Sequence, residues 1–466
     1  MPIIVQRCAG APTNGSRLSH FPFHHTAPDA TPGRTADGGP ARSRASLRGL
    51  LPSLSYPSPA VEARSGGPFT GVPGTGTERG YVDHHVHFMA SVAAGLSVDV
   101  ATSTSLVELL DRLREGIDES GRSGGGAEAG SGAPCAGSKL AWVRAWGYDE
   151  ALMAERRHPT RWDLDRACAS RGATDVPLVV HHRSGHVAVL NSAALRRLGQ
   201  GDHPDGVVFD GHEILAGVPR LDVAALTSAA ASLSRKWASA GITAFVDATH
   251  TNGPEELDLM ARWCATGVVV QDVSMMVSVE RLGDVPPFAT VLGDPNAPRP
   301  ARLSVGPVKL MPRPGRLDGL RQAIVEAHER GFPAAVHVVD VETLAVTLEA
   351  FAKSPPPTGL VDRLEHNALS LPEQVPAIAA SKARVVVNPG FLATRRTKYE
   401  RELGDVERGW LIRMRSLLEA GVDLRAGSDS PVSAADPEQI IGCAISHPFT
   451  PGESLDPASA RRLLSW

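Results

Sequence analysis

The first β-like run of the chain is Tyr81-Val82-Asp83-His84-His85-Val86-His87. Successive side chains of a β-strand point to opposite faces, so residues i and i+2 share a face. His85 and His87 are therefore expected to point to a common position. Two converging imidazoles are a natural pair of ligands for zinc or a similar divalent ion. Asp83 lies on the same face, where it is placed to orient one of these ligands by a hydrogen bond.

Downstream of this run, short segments rich in β-branched residues alternate with segments of helical spacing. This is the pattern of βα units around a parallel sheet. The candidate strands are Gly80–His85, Thr243–Ala248, Val268–Val277, Ser304–Leu310, Ala334–Val338, Arg363–His366, Arg384–Asn388 and Asp423–Ala426. Eight such strands predict an α/β fold, a (β/α)8 TIM barrel with its active site at the C-terminal ends of the strands.

One interval of the predicted barrel is too long for a single βα unit. About residues 88–222 separate the first two candidate strands. We expect this long insertion after strand 1 to form a lid or small subdomain over the barrel mouth, where loops usually carry specificity. The predicted domain therefore covers residues 80–466, with the insertion as a part of it.

Apolar residues at helical spacing predict the helices between the strands. One stripe covers residues 226–237 and stops before Gly241, and another covers residues 410–417. Asp318 is a candidate N-cap for a third helix.

Residues 1–79 differ from the rest of the chain. They are rich in Pro, Gly, Ser, Ala and Arg and poor in acidic residues. Such a segment buries too little apolar surface to offset its ordering entropy, which predicts a low-complexity, disordered leader. The excess of Arg over acidic residues is also similar to an organellar transit peptide, which stays the alternative.

Bulk properties exclude some classes of function. A formal net charge of -4 gives no electrostatic footprint for nucleic acid or for an anionic membrane. No apolar run approaches the roughly 20 residues that a membrane span needs. The five cysteines are scattered and form no C-x-x-C pair, which fits a reducing compartment. We therefore expect a cytoplasmic protein, with organellar targeting by the leader as the alternative.

Polar residues recur at the ends of later candidate strands. Lys309 closes the fourth, His337 the fifth and His366 the sixth, each about one βα unit after the one before. Asp429 follows the eighth. The C-terminal ends of barrel strands meet at one face. We expect these side chains to join the two histidines of the first strand there.

The ordered set D-x-H-x-H, Lys, His, His and Asp resembles the amidohydrolase superfamily. It is most similar to the amidohydrolase-3 or YtcJ-like branch, which includes N-substituted formamide deformylases. Further stretches resemble the same branch: Trp146-Gly147-Tyr148-Asp149, Arg183-Ser184-Gly185-His186, Asn191-Ser192-Ala193-Ala194-Leu195, Asn388-Pro389-Gly390-Phe391 and Gly427-Ser428-Asp429-Ser430-Pro431. The resemblance covers roughly residues 80–466.

The resemblance implies a set of site residues. Its metal ligands would be His85, His87, Lys309, His337, His366 and Asp429. These would bind one or two divalent ions, with zinc favoured. Asp429 would also be the catalytic residue that shuttles a proton. Lys309 stands where relatives often use a carboxylated lysine to bridge two metals, and an unmodified lysine paired with a carboxylate is the alternative.

Two further residues are candidates for contact with substrate. His186, in the insertion, is expected either to reach the barrel mouth or to fix its own loop. Arg363 is expected either to contact substrate or to form a structural ion pair.

The function that the resemblance implies is metal-dependent hydrolysis. A bound divalent ion lowers the pKa of its water towards about 7, and Asp429 takes a proton and passes it to the leaving nitrogen. The expected substrate is a small molecule with a non-peptide C–N bond, as in an amide or a formamide. The alternatives are a deaminase or cyclic amidase of the same superfamily, and a non-catalytic, truncated remnant that keeps the ligands.

The sequence also departs from the family pattern. Relatives carry a small accessory β-sandwich, built from strands before and after the barrel. Here the leader shows no strand pattern and the chain stops at Trp466, so we expect this sandwich to be reduced or absent. A fragment or a reduced form would explain this. A barrel without its neighbouring domain exposes apolar surface that favours aggregation or a partner, such as a second copy in a homo-oligomer.

Overall fold

The structure is a computed structural model of the chain. It describes residues 80–123, 142–292, 302–312, 315 and 317–466. The predicted leader, residues 1–79, lies outside the described residues, and the domain bounds stay a prediction.

The described chain alternates between strands and helices. The strands are β1 (Tyr81–Val86), β2 (Val98–Asp99), β3 (Val143–Tyr148), β4 (Leu178–His182), β5 (Val187–Leu190), β6 (Val207–Phe209), β7 (Ile242–Asp247), β8 (Asp272–Ser278), β9 (Val291–Leu292), β10 (Leu303–Leu310), β11 (Ala334–Val338), β12 (Arg363–His366), β13 (Arg384–Val387) and β14 (Leu424–Ala426). The helices are α1 (Phe88–Gly95), α2 (Leu106–Ser123), α3 (Arg161–Ala169), α4 (Ser192–Arg197), α5 (His212–Leu215), α6 (Val223–Ser239), α7 (Pro254–Ala265), α8 (Leu320–Glu329), α9 (Val341–Lys353), α10 (Val375–Ser381), α11 (Phe391–Thr394), α12 (Arg396–Glu402), α13 (Asp405–Arg408), α14 (Arg415–Glu419), α15 (Pro437–Ile445) and α16 (Pro457–Arg462). Short 3-10 turns cover Val279–Arg281, Pro372–Gln374 and Pro451–Glu453.

The main sheet is parallel and curves into a barrel. Among the described residues its neighbours are, in order, β1, β7, β8, β10, β11, β12, β13 and β14. Each of these neighbouring pairs is parallel. The short strand β9 adds to β10 in the antiparallel sense. The eight candidate strands of the sequence correspond to these eight, so the predicted (β/α)8 barrel is confirmed.

The barrel strands are apolar because both of their faces are covered. Helices pack on the outside and opposite strands on the inside, so a parallel barrel strand is a nearly continuous apolar run. Every residue of β10, β11 and β12 is buried. Lys309 and His337 interrupt the runs of β10 and β11, and β12 carries Arg363, Glu365 and His366. A buried charged or polar side chain is the exception that needs a reason.

Helix α6 shows how the sequence sets the outer layer. The Asp222 side chain accepts a hydrogen bond from the Ala225 N–H at 3.0 Å and so caps the helix. The helix buries Ala230 and Trp237. It ends before Gly241, whose φ of 84° lies in the left-handed region that glycine adopts without strain. The apolar stripe predicted over residues 226–237 is confirmed.

The first and eighth barrel strands meet at a short seam. The Asp429 N–H donates to the His85 carbonyl at 2.7 Å, and the His87 N–H donates to the Ser430 carbonyl at 2.8 Å. Val86 and Ser430 form a parallel bridge between them. The barrel therefore closes through residues that carry or adjoin the predicted metal ligands.

The seam is tight at Gly427, the residue that follows β14. A Cβ placed on Gly427 would lie 2.5 Å from the His85 backbone nitrogen and 2.6 Å from the His85 Cβ. A side chain at this position would push β1 and β14 apart, so the close approach requires glycine.

The predicted insertion contains a second sheet. In the described part of residues 88–222, its strands pair in the order β2, β3, β4, β5 and β6. The pairs from β2 to β4 are parallel, and those from β4 to β6 are antiparallel. Helices α2 and α3 cover it, and the sheet has an apolar core of its own that includes Leu113, Tyr148 and Leu164. The insertion thus has a sheet and an apolar core of its own, and the sequence analysis, which expected a lid or small subdomain here, did not predict its strands.

Two local predictions were wrong. The stripe over residues 410–417 is not one helix. Leu411, which lies between α13 and α14, forms an antiparallel bridge with Leu369. That bridge holds the chain extended and interrupts the helical spacing. Asp318 is not an N-cap, because α8 begins one residue later than expected, with Gly319 at its N-cap. A turn from Leu317 to Leu320 leads into the helix instead.

Two further features follow from the described residues. None of the helices they form is long and apolar enough to cross a membrane. Their strands belong to the barrel sheet and the insertion sheet. The expected reduction or loss of an accessory β-sandwich stays a prediction.

The seam gives a prediction about stability. We expect Gly427→Ala to lower the free energy of unfolding by about 1–3 kcal/mol, the usual cost of overpacking, because the added Cβ meets the His85 backbone. Urea unfolding followed by circular dichroism measures this difference. Gly442→Ala is the matched control, because that glycine lies in α15 with no atom near its Cβ position. An equal effect of the two substitutions would contradict the tight seam.

Candidate metal centre

The barrel brings the predicted ligands to one end of its strands. The residues sit at the ends of five strands: His85 in β1 and His87 just after it, Lys309 in β10, His337 in β11, His366 in β12, and Asp429 after β14. Because the strands are parallel, their C-terminal ends share one mouth of the barrel. The spacing along the sequence is thereby converted into a cluster in space.

The tightest part of this cluster is formed by two imidazoles and one carboxylate. Asp429 Oδ1 lies 3.1 Å from His87 Nε2 and 3.4 Å from His85 Nε2. Donor atoms that share one tetrahedral zinc ion lie about 3.4 Å apart, given metal–ligand distances of about 2.1 Å. The spacing of these three side chains therefore suits ligands of one ion.

His337 and His366 extend the cluster across the barrel. The ring centroids of His85 and His366 are 4.6 Å apart, and those of His337 and His366 are 4.5 Å apart. Lys309 lies close enough for its charge to influence His85 and His366. The structure thus groups all six residues that the sequence predicted, while their individual roles as ligands stay a prediction.

Several polar atoms of this cluster are buried without a hydrogen bond. They are His85 Nε2, both ring nitrogens of His337, Lys309 Nζ and Asp429 Oδ1. An unsatisfied buried donor or acceptor costs about 1–3 kcal/mol, so such atoms are rare unless something else binds them. Imidazole nitrogens and a carboxylate oxygen that face one another fit a divalent metal ion, which would satisfy them together.

Burial keeps these imidazoles neutral. It lowers the pKa of His85 to about 4 and that of His366 to about 3, and nearby positive charge contributes to both shifts. It also holds the pKa of His337 well below its usual value. A neutral imidazole offers a lone pair to a metal, whereas a protonated one does not. The histidines are therefore in the ligand form at neutral pH.

The pKa values of the carboxylate and the amine of the site are also shifted. Burial alone would raise the pKa of Asp429, but His87, His85 and His366 outweigh it and hold that pKa far below its usual range. Burial lowers the pKa of Lys309 to about 8, against the opposing effect of Glu365 and Asp429. Asp429 is thus ionised at neutral pH, and Lys309 has an unusually large neutral fraction.

Contacts around the imidazoles fix which ring nitrogen carries the proton. Glu365 Oε2 lies 2.5 Å from His85 Nδ1, and Asn388 Oδ1 lies 2.7 Å from His366 Nδ1. Both partners are acceptors: Arg363 and His85 outweigh burial and keep Glu365 ionised, and the Asn388 amide nitrogen already donates to a carbonyl. Each Nδ1 therefore carries the proton and leaves Nε2 free to bind a metal.

His87 has a comparable partner. Its Nδ1 lies 3.0 Å from Thr249 Oγ1, just beyond the end of β7.

Asp83 acts through the backbone, since its Oδ1 accepts from the Ser428 N–H at 2.9 Å and from the His85 N–H at 3.2 Å. Asp83 therefore fixes the seam rather than an imidazole ring.

Sequence reasoning missed Glu365, Asn388 and Thr249. Glu365 stands beside His366 near the end of β12, Asn388 directly follows β13, and Thr249 follows the end of β7. That position at a strand end was the available signal. Which ring each would contact depends on the register between strands, which one sequence does not reveal.

The two candidate substrate contacts lie in different surroundings. Arg363 is buried, where its Nε donates to Glu365 Oε1 at 2.6 Å and its Nη2 donates to the His84 carbonyl at 2.8 Å. These contacts favour the structural ion pair for Arg363.

His186 is partly exposed, and its Nδ1 lies 2.9 Å from Asp210 Oδ1. It lies close enough to the barrel centre for the charge of Asp429 to influence its pKa.

The backbone is strained at two of the ligand positions. His366 has a φ of 72° and Asp429 a φ of 59°, both in the left-handed region that non-glycine residues rarely adopt. Residues held in this way are concentrated at functional sites, where the surrounding structure imposes the strain.

A family profile decides the identity of this barrel. The profile described as "Amidohydrolase family" matches residues 80–448, most of the chain. The chain belongs to the amidohydrolase family. The resemblance predicted from the ligand pattern is thereby confirmed.

Individual relatives of this amidohydrolase agree with the assignment. The chain is 25% identical to the N-substituted formamide deformylase of Arthrobacter pascens, over 82% of this chain and 75% of that protein. It is 22% identical to the putative amidohydrolase YtcJ of Bacillus subtilis, over 78% of this chain and 72% of that protein. These matches agree with the family assignment and support a hydrolase.

Solved structures show the same fold. An uncharacterized metal-dependent hydrolase from Pyrococcus furiosus is similar with a TM-score of 0.59 at 22% identity, over 83% of this chain and 80% of that one. A second, from Pyrococcus horikoshii, gives a TM-score of 0.61 at 19% identity, over 83% and 81% of the two chains.

The Thr249 contact gives a prediction about metal affinity. We expect Thr249→Val to weaken zinc binding about 10-fold or more, because His87 loses the hydroxyl that orients its ring. Competition with a chelating dye measures the dissociation constant. Thr243→Val is the matched control, an exposed threonine on β7 whose hydroxyl is remote from the site. Equal affinity of the two variants would show that Thr249 does not orient the ligand.

Proposed function

We propose that this amidohydrolase uses a bound divalent metal ion to hydrolyse a non-peptide C–N bond of a small molecule, an amide or formamide. The observation that carries the proposal is the Asp429 carboxylate held between the imidazoles of His85 and His87 at the barrel mouth. The relative named N-substituted formamide deformylase supports a formamide as substrate.

The donor set suits zinc better than it suits magnesium or calcium. Imidazole nitrogens and carboxylate oxygens are ligands that zinc shares with iron, nickel and manganese, and a histidine-rich set favours zinc over magnesium or calcium. The residues that would hold it are His85, His87, His337, His366 and Asp429. When bound, such an ion lowers the pKa of its water and polarises the scissile carbonyl.

Asp429 moves the proton in this proposal. It is ionised at neutral pH and sits at the mouth, so it can accept one proton from the attacking water. Attack forms the bond from the water oxygen to the carbonyl carbon. The C–N bond then breaks, and Asp429 returns the proton to the leaving nitrogen. The products are a carboxylic acid, which is formate for a formamide, and an amine.

Lys309 has the surroundings that carboxylation requires. Its Nζ is buried without a hydrogen bond, and its pKa is lowered to about 8. A neutral amine can add to carbon dioxide with loss of one proton and become a carbamate. We propose that a carboxylated Lys309 would offer the centre a further anionic oxygen ligand, with which it could hold a second divalent ion. An unmodified Lys309 would instead leave a one-metal centre.

His186 is the substrate contact that we propose in the insertion. Asp210 holds one side of its ring, and part of the side chain is exposed. A histidine fixed in this way can form a hydrogen bond to a substrate bound at the barrel mouth. Because it comes from the insertion, it would contribute to specificity rather than to metal binding.

An assay of product type tests the function. We expect zinc-loaded protein to release formate and an amine from N-alkyl or N-aryl formamides, measured by coupled formate oxidation. Acyl amides, cyclic amides and aminopyrimidines are tested in parallel. Ring opening, or release of ammonia, would replace the proposal by a cyclic amidase or a deaminase. A folded, metal-loaded protein without turnover of any class would favour a non-catalytic remnant.

The role of Asp429 gives a second test. We expect Asp429→Asn to reduce kcat about 10²- to 10⁴-fold, because an amide cannot accept the proton. Metal content, measured by elemental analysis, is followed in the same samples. Asp423→Asn is the matched control, a partly exposed aspartate paired with Arg384 just before β14. Near-normal turnover of Asp429→Asn with metal retained would disprove the proton transfer.

A further inference from the structure

A second cluster of potential ligands lies in the insertion, outside the barrel centre. Asp149 and Glu150 follow β3, and His182 is the last residue of the neighbouring parallel strand β4. The register places Tyr148 beside His182, so the two carboxylates emerge next to the imidazole. Parallel strand ends bring them together, as they do the ligands of the barrel.

The donor atoms of this cluster face one another. His182 Nε2 lies 2.8 Å from Glu150 Oε2 and 3.8 Å from Asp149 Oδ1. These distances lie on either side of the roughly 3.4 Å expected between two ligands of a tetrahedral zinc ion. The His182 and Asp149 side chains are only 5% and 8% exposed, and that of Glu150 is 26% exposed. The donor atoms Glu150 Oε2 and His182 Nε2 are buried, while part of the Glu150 side chain reaches solvent.

The contact between Glu150 and His182 is short but not aligned as a hydrogen bond. Glu150 Oε2 and His182 Nε2 are 2.8 Å apart, within ion-pair distance, and both atoms are buried. A cation shared by this nearly buried ring nitrogen and the two carboxylates would satisfy these atoms together.

The other ring nitrogen of His182 has a suitable partner. His182 Nδ1 lies 2.8 Å from the Ser184 hydroxyl and can donate its proton there. Nε2 then offers a lone pair to a metal. The Ser184 N–H also lies 3.0 Å from Nδ1 and would select the opposite tautomer. A bound metal would favour the first arrangement.

The composition of the cluster favours a cation. Two carboxylates and one imidazole place their donor atoms within reach of one ion. The nearby Arg183 guanidinium lies 3.9 Å from Asp149 Oδ2, the carboxylate oxygen other than the one that lies near His182.

We propose that Asp149, Glu150 and His182 form a second binding site for a divalent transition metal, zinc in the first instance, separate from the barrel centre. Two carboxylates and one imidazole are a ligand set that zinc accepts, with water at the remaining position. The proposal does not depend on the reaction in the barrel.

The position of this site indicates what the ion would hold. Arg401, on the barrel helix α12, donates to the Ala151 carbonyl, which follows the two carboxylates in sequence. Arg183, directly after His182, reaches the Thr394 carbonyl of α11 at 3.5 Å. The ion would therefore fix the turn after β3 against β4, at the place where the insertion contacts the barrel.

Zinc stoichiometry tests the proposal. Metal-free protein is loaded with Zn²⁺, desalted and analysed for zinc per chain by mass spectrometry. We expect His182→Gln to bind one equivalent less than the wild type. In a His85→Ala/His87→Ala background, adding His182→Gln should remove one further equivalent. Isothermal titration of the metal-free protein with Zn²⁺ should show the same loss of one site.

Matched variants separate ion binding from damage to the fold. His181→Gln is the control, because His181 is the adjacent residue of β4 and its ring packs against Trp146 instead of the cluster. It should keep the zinc content of the wild type. Glu150→Gln replaces a ligand of the same shape and serves if His182→Gln does not fold. Wild-type zinc content in both His182→Gln and Glu150→Gln would overturn the proposal and leave an ion pair with a protonated His182.

Discussion

The site depends on the cost of burying polar atoms that have no hydrogen-bond partner. His85 Nε2, the His337 ring nitrogens and Asp429 Oδ1 all lose water on folding without gaining a bond. At about 1–3 kcal/mol each, such a set is a large fraction of the stability of a typical domain. The rest of the barrel must therefore hold these atoms in place until a cation offsets the cost, which links metal binding to stability.

The contacts behind the ligands do this holding. Glu365 and Asn388 accept from the far side of two imidazole rings, so each ring points its lone pair inward. Arg363 in turn keeps Glu365 ionised. These buried contacts lead from Arg363 in the barrel wall, through Glu365, to the imidazole of His85 at the barrel mouth. Each of these groups has a hydrogen-bond partner on its outer side, and the inward-facing atom His85 Nε2 has none.

The sequence was sufficient for the barrel and for the residues that meet at its mouth. Eight apolar runs and the polar residues at their ends were visible, because burial on both faces leaves a one-dimensional pattern. What the sequence did not reveal depends on pairing between distant segments. The bridge of Leu411 with Leu369 broke an apparent helix, and the choice of Glu365 as partner of His85 rests on strand register. The strands of the insertion were missed because short strands in a mixed sheet give a weak pattern.

The seam between β1 and β14 has a consequence for how the enzyme matures. His85 and Asp429 come from opposite ends of the barrel sequence, so their pairing is among the most non-local contacts of the fold. Contacts of this kind form late, because a long loop must close first. During synthesis, β1 leaves the ribosome long before β14, so the edge of β1 that will face β14 stays unpaired until then. The complete ligand set therefore exists only after translation of the last strand, so an ion that needs all of these ligands would bind after the barrel has been synthesised.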